Sequence, residues 1–206
     1  MLEAVSLSCR RGQRRVFSDL SVKLEAGQCC LVSGPNGSGK TSLLRILANI
    51  AQADAGQLLW HERPVQRNDS DYRRNLMYGG HAPGLNANLS VQENLDSLLL
   101  QDRVAWERQD YDQALRAGGL LAYRRVPLRQ LSAGQRRRVF LVRLSLSNRP
   151  LWILDEQLTA LDSAGQHFLG ELIAQHLQRQ GAVILTSHQA LPWKLDVQHL
   201  DLGSAC

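Results

Sequence analysis

Gly34-Pro-Asn-Gly-Ser-Gly-Lys-Thr41 follows the apolar run Cys29-Cys30-Leu31-Val32 and precedes a stretch with Leu43, Leu44, Ile46 and Leu47 at helical spacing. An unbroken short apolar run fits a strand buried on both faces. The pattern G-x-x-x-x-G-K-[ST] therefore lies between a strand and a helix, the context in which it forms a phosphate loop. Gly34, Gly37 and Gly39 allow backbone angles and close approaches that a Cβ would forbid, so that amides of the loop turn inward. A helix expected from Thr41 adds the positive end of its dipole. These features make Gly34, Pro35, Asn36, Gly37, Ser38, Gly39, Lys40, Thr41 and Ser42 the candidate nucleotide-binding run. In it Lys40 supplies a point charge to the β- and γ-phosphates, and the Thr41 hydroxyl is a candidate Mg²⁺ ligand.

A second element supplies carboxylates. Leu151-Trp-Ile-Leu-Asp155-Glu156 places four apolar residues ahead of two adjacent acids. In an open α/β sheet, ligands bind at the carboxyl ends of the strands, so these acids are expected beside the phosphate loop. Asp155 is the candidate to hold Mg²⁺ through water, and Glu156 to orient or deprotonate an attacking water. Alone, an apolar strand ending in Asp-Glu is commonly a solvated strand end. Its weight comes from the loop upstream.

The pattern along the chain is sheet, helical insert, sheet. The first third reads as strands, with Phe17 to Leu24 and Ala55 to Trp60 as candidates beside the strand before the loop. From about Leu89 to Ser147 the pattern is helical. Ser90-Val-Gln-Glu93 and Ser132-Ala-Gly-Gln135 are capping boxes, and Gly118-Gly119 suits a left-handed stop to a helix begun near Trp106. Leu151 to Leu154 and Ala182 to Leu185 return to the sheet, flanking a helix from about Ser163 to Arg179. One α/β domain over 1–206 is expected, with 1–84 and 150–206 as its core and 85–149 as an inserted helical sub-domain.

Composition excludes some classes. The 206 residues carry 24 Lys plus Arg against 19 Asp plus Glu, a net charge of +5. The arginines are scattered or in short runs such as Arg136 to Arg138, which read as solvated faces, so basicity does not by itself imply nucleic acid. No apolar stretch approaches the roughly 18 residues of a membrane-spanning helix, and no signal pattern is present. A soluble chain is expected, with any membrane role arising through a partner. Cys9, Cys29, Cys30 and Cys206 form no Cys-x-x-Cys pair, and adjacent Cys29 and Cys30 are badly placed to bridge, which fits idle thiols in a reducing compartment.

With Leu131-Ser-Ala-Gly-Gln135 added to the loop and the acidic strand, the chain resembles the ATP-binding-cassette (ABC) ATPases, the motor domains of ABC transporters. The resemblance runs through nearly the whole chain in the family's order, including Thr159-Ala-Leu-Asp162 and Thr186-Ser-His188. It implies the P-loop NTPase fold of that family, with a RecA-like mixed-sheet core and an inserted helical sub-domain, and ATP with Mg²⁺ as its ligands. It also implies a head-to-tail pair of chains in which Ser132, Gly134 and Gln135 of one copy close over the ATP of the other. Asp162 would lie at the seam. Lys40, Glu156 and His188 would be catalytic, His188 contacting the γ-phosphate.

Three positions depart from the family pattern. Arg11 stands near the aromatic residue that usually stacks on adenine, and a guanidinium can also stack. His81 or Ala82 replaces the switch glutamine. Gln157 replaces the proline after the catalytic glutamate, which is expected to loosen the turn without removing a chemical group.

Within the family, Leu2-Glu-Ala, Ser8-Cys-Arg10, Thr41 to Leu47, Gly80-His-Ala-Pro-Gly-Leu85 and Gln130 to Val139 are similar to the ATPase subunits of bacterial cytochrome c maturation haem exporters. That resemblance implies a peripheral subunit on the cytoplasmic face of the inner membrane, bound to integral membrane subunits. Its ATP cycle would release a haem-loaded periplasmic chaperone, while haem itself would not touch this chain. His61, His81, His167, His176 and His199 then have structural or surface roles. Membrane subunits are expected to dock near Gly84 to Leu99, through Leu85, Leu89 and Leu95. Another ABC exporter or importer, or a soluble cassette acting on nucleic acid, are the alternatives, although no nucleic acid is expected.

Overall fold

The computed structural model describes residues 1–80, 84–102, 107–159 and 161–203, without the side chain of Arg108. Expectations that fall on His81, Ala82, Trp106, Ala160 and Cys206 lie outside the described residues. β1 (Leu2–Arg11) and β2 (Arg14–Leu24) form an antiparallel hairpin, closed by Gly12 at φ 59°. β3 (Cys29–Ser33) runs into the Gly34–Gly39 loop and α1 (Lys40–Leu47). β4 (Ala55–Trp60), β5 (Arg63–Pro64), α2 (Ser70–Arg74) and β6 (Leu76–Gly79) follow. The α-helices α3 (Val91–Asp102), α4 (Arg108–Ala117) and α5 (Ala133–Ser145) come next. The chain then returns to the sheet with β7 (Leu151–Leu154), α6 (Ser163–Gln178), β8 (Ala182–Thr186) and β9 (Gln198–Asp201).

The strands are divided between two sheets. One is antiparallel, in the order β2-β1-β4-β5, and the other is parallel, in the order β6-β7-β8-β3-β9. Side chains alternate across the parallel sheet. Cys30, Val32, Leu151, Ile153, Ala182 and Ile184 face the core shared with α1 and the antiparallel sheet. Cys29, Trp152, Leu154, Val183 and Leu185 face the core shared with the helical segment and α6. The two adjacent cysteines thus belong to opposite cores and are free. Burial pushes the Cys29 thiol up to about 12 and the Cys30 thiol up to about 11, so neither forms a reactive thiolate at neutral pH.

The helix ends form as the sequence indicates. In the first box the Ser90 amide donates to Glu93 Oε2 at 2.7 Å and the Glu93 amide donates to Ser90 Oγ at 3.2 Å. After α4, the residue at positive φ is Gly119 (65°), whereas Gly118 stays right-handed. The Leu120 amide reaches back to the Leu115 carbonyl and the Gly119 amide to the Arg116 carbonyl, which is a Schellman stop.

Leu95 corrects the docking expectation. It is fully buried in the core of the helical segment, and Leu85 is half-buried against that core; the exposed apolar residue of α3 is Leu100, 80% exposed. The helical period of α3 turns Leu95 inward with Val91, Leu98 and Leu99.

One ionic clamp joins the helices to the sheet. Asp102, at the end of α3, accepts from Arg143 Nε and Nη2 at 2.7 and 2.8 Å, and from Arg149 Nη2 at 2.8 Å. Arg149 Nη1 in turn donates to the Leu76 carbonyl at the start of β6. The Asp102 side chain is only 4% exposed. Asp102→Ala leaves two largely covered guanidinium groups without their anion and is expected to lower stability by about 3 kcal/mol. Urea unfolding checks this; an unchanged midpoint contradicts it.

Candidate active site

The loop is held from both sides. Gly39 is at φ 100°, and a Cβ there would come within 2.1 Å of Val16 Cγ1 on β2, so both conformation and packing require glycine. Gly37, at φ 80°, has open space around it, which leaves its face of the loop accessible to a ligand. Helix α1 begins at Lys40, one residue before the expected Thr41, with Gly39 as N-cap and no side-chain cap. Its first amides are consequently left for an anion. Lys40 is 6% exposed, and its ammonium donates to the carbonyls of Gly34 at 2.7 Å and Pro35 at 3.1 Å. An ammonium has three donors, so one remains.

The acidic strand end lies alongside. Asp155 is 2% exposed, and its Oδ1 accepts from Thr186 Oγ1 at 2.8 Å. The same Thr186 oxygen accepts the Glu156 amide at 2.9 Å. Glu156 sits at φ 52°, a left-handed conformation that costs a non-glycine residue about 1–2 kcal/mol. The adjoining peptides restrain it: the Asp155 amide donates to the Gly79 carbonyl at 2.7 Å, and Arg137 Nη2 donates to the Glu156 carbonyl at 3.1 Å. The turn aims the carboxylate at His188, whose Nε2 lies 2.7 Å from Glu156 Oε1. That imidazole is 42% exposed and the carboxylate 24%, so the pair faces the cleft instead of the core.

Gln157 does not loosen the turn, contrary to expectation. It is 3% exposed, and its Nε2 donates to the carbonyls of Gly79, Gly80 and Asp155 at 2.8, 3.1 and 2.9 Å. The carboxamide supplies donors where a proline has none.

Arg11, Arg14, Val16, Asn36, Gly37, Gly39, Lys40, Thr41, Ser42, Glu156 and His188 line one cleft of about 340 Å³. Most of the loop and both groups of the acid–histidine pair thus meet in one place. Arg11 is exposed and donates through Nη2 to Ser42 Oγ at 3.4 Å, so its guanidinium lies beside the loop. Thr41 lines the cleft and the buried Asp155 does not, but both are hard oxygen donors of the type Mg²⁺ takes, and the uncapped start of α1 suits a polyphosphate.

Ser132, Gly134 and Gln135 do not line that cleft. Ser132 caps α5: its Oγ accepts the Gln135 amide at 3.1 Å, and Gln135 Oε1 accepts the Ser132 amide at 2.9 Å. Ser132 and Ala133 are exposed at the positive end of this helix. Asp162 is exposed, caps α6 through the Gly165 amide, and pairs with Arg138 at 3.1 Å.

The sequence reading missed Arg137. With Arg136 and Arg138 it reads as a solvated run, yet it is 8% exposed. Its place four residues before Leu141 and seven before Leu144, both fully buried, puts it on the inner face of α5. His176 is structural, as expected: it stacks on Trp152 at 3.8 Å, and burial holds its pKa down to about 4. His61, His167 and His199 are on the surface.

A model of the ABC transporter family matches residues 17–159, which hold the loop, the Ser132 cap and the acidic strand end. The chain belongs to the ABC transporter family. The cassette is 47% identical over 197 residues to the cytochrome c biogenesis ATP-binding export protein CcmA of Pseudomonas aeruginosa, covering 94% of this chain and 96% of that one. It is 43% identical over 196 residues to the protein of the same name from Escherichia coli K12, covering 93% and 90%. Among solved structures, the ATP-binding subunit of an ABC transporter superposes with TM-score 0.85 at 21% identity, covering 98% of this chain and 87% of that one. A dimeric bacterial ABC transporter cassette gives 0.82 at 21% identity, covering 98% and 95%. The cassette therefore has the ABC ATPase fold, and no described helix is long and apolar enough to cross a membrane.

Proposed function

We propose that this cassette is the ATP-hydrolysing motor of a cytochrome c biogenesis exporter, peripheral to the cytoplasmic face of the bacterial inner membrane. The observation that carries the proposal is 43–47% identity to the CcmA proteins over nearly the full length of both partners. Haem is the proposed cargo of the complex, and release of a haem-loaded periplasmic chaperone is its output. Integral membrane subunits supply the path and dock on the helical segment, where Leu100 is exposed.

The loop amides and Lys40 bind the triphosphate and neutralise its charge. Thr41 and Asp155 would hold Mg²⁺, which would supply positive charge to neutralise the triphosphate. Glu156 takes the proton of the attacking water as the water oxygen bonds to the γ-phosphorus and the bond from that phosphorus to the bridging oxygen breaks, leaving phosphate and ADP. His188, beside Glu156, fixes its carboxylate and faces the γ-phosphate. A second copy supplies Ser132, Gly134 and Gln135 as the lid, a reading supported by their absence from the lining of their own chain's cleft. Ser132→Arg places bulk and charge at that lid without touching the loop. ATP binding by the monomer is expected to stay within twofold of the parent protein while turnover drops by at least tenfold. Nucleotide titration and an ATPase assay check this, and unchanged turnover contradicts it.

The test of the transport assignment is a pull-down from bacterial membranes with Glu156→Gln and ATP. Retention of the membrane subunits of cytochrome c biogenesis supports it; retention of another permease instead overturns it.

A further inference from the structure

We propose that Gln157 is a positioning residue for hydrolysis, its carboxamide fastening the ends of β6 and β7 so that Asp155 and Glu156 present one fixed geometry. The inference rests on the ATPase reading above. β6 and β7 pair in parallel from Leu76 opposite Leu151 to Gly79 opposite Leu154. The last backbone bond of the ladder runs from the Asp155 amide to the Gly79 carbonyl. Beyond it the backbone after β7 turns at Glu156, and the Gln157 side chain extends the pairing, donating to Gly79 and Gly80 at the end of β6 and to Asp155 just after β7. Gly79 has no side chain to anchor it, because a Cβ there would lie 2.7 Å from Phe140 Cζ of α5.

The two acidic residues are therefore held through their peptides on every side. Their amides are taken by Gly79 and Thr186, and their carbonyls by Gln157 and Arg137. A proline at 157 has no side-chain donor, and it would steer Glu156 toward extended angles and away from its φ of 52°. The three surrounding carbonyls also fix the orientation of the carboxamide, since turning it over would set Oε1 against them.

Two variants separate donation from volume. Gln157→Glu keeps the size but replaces the donors with an acceptor facing three carbonyls; Gln157→Ala removes bulk and donors together. In full-length protein, kcat is expected to fall about tenfold or more in Gln157→Glu and less in Gln157→Ala, one lost hydrogen bond being typically about a tenfold effect. KM for ATP is expected to stay within twofold in both, because the loop is untouched. Hydrogen exchange of the Asp155 amide is expected to quicken at least tenfold in Gln157→Ala, with the Val183 and Ile184 amides unchanged. A kcat within twofold of the parent in both variants overturns the proposal. So does a larger loss in Gln157→Ala than in Gln157→Glu, a parallel rise in KM, or unchanged Asp155 exchange. If the parent protein itself hydrolyses no ATP, the ATPase reading fails, and the exchange comparison still decides whether Gln157 fastens the strands. Should Gln157→Glu not fold, the kcat, KM and exchange of Gln157→Ala decide.

Discussion

Glu156→Gln is expected to bind ATP as the parent protein does, to lose turnover by about 10²–10⁴-fold, and to accumulate as an ATP-bound dimer. The substitution preserves size, so the turn held by Thr186 and Arg137 remains intact. What it removes is the proposed proton acceptor and the carboxylate facing His188, whose Nε2 lies 2.7 Å away. The loop and Lys40 are unaltered, so the triphosphate still binds and the lid still closes, but the pair has no route back to the open state through hydrolysis. Size-exclusion chromatography with and without ATP, together with phosphate release, checks both parts. Native turnover removes Glu156 from the role of base.

Lys40→Ala is expected to weaken ATP by about 10–10²-fold, the one charge-assisted contact to phosphate left to its ammonium being about 1.5–3 kcal/mol. The fold should tolerate the change. The carbonyls that Lys40 now satisfies belong to Gly34 and Pro35, on a loop where Pro35 is exposed and water can replace the donor. Calorimetric titration alongside a thermal melt separates the two effects: affinity lost with the melting temperature nearly unchanged is the expected result. Retained affinity would mean that the loop amides hold the phosphates unaided.

Elements with strong local rules were readable from residue order. The strand Leu151–Leu154 shows as an unbroken apolar run, the phosphate loop as a fixed spacing of glycines and lysine, and both capping boxes as bonds spanning three residues. Nonlocal features were not readable. β6 and β9 are only four residues each, and they are strands because β7 and β3 pair with them; their sequences carry no period long enough to show it. Gln157 looked like a lost proline because its value lies in carbonyls contributed by β6, far away in the sequence. Arg137 was hidden by its flanking arginines, and only the buried Leu141 and Leu144 on its face reveal that it points inward. Leu95 was read as a surplus apolar residue for a partner, when the packing of α3 within its own chain already accounts for it.

In the proposed function Ser132, which does not line the cleft of Lys40 and Glu156, completes the site of a second chain. Specific ATPase activity across a dilution series of the purified protein tests this. It should climb with concentration and level off once the chains are paired; an activity per chain that stays constant down to dilutions where sedimentation shows only monomers would contradict it.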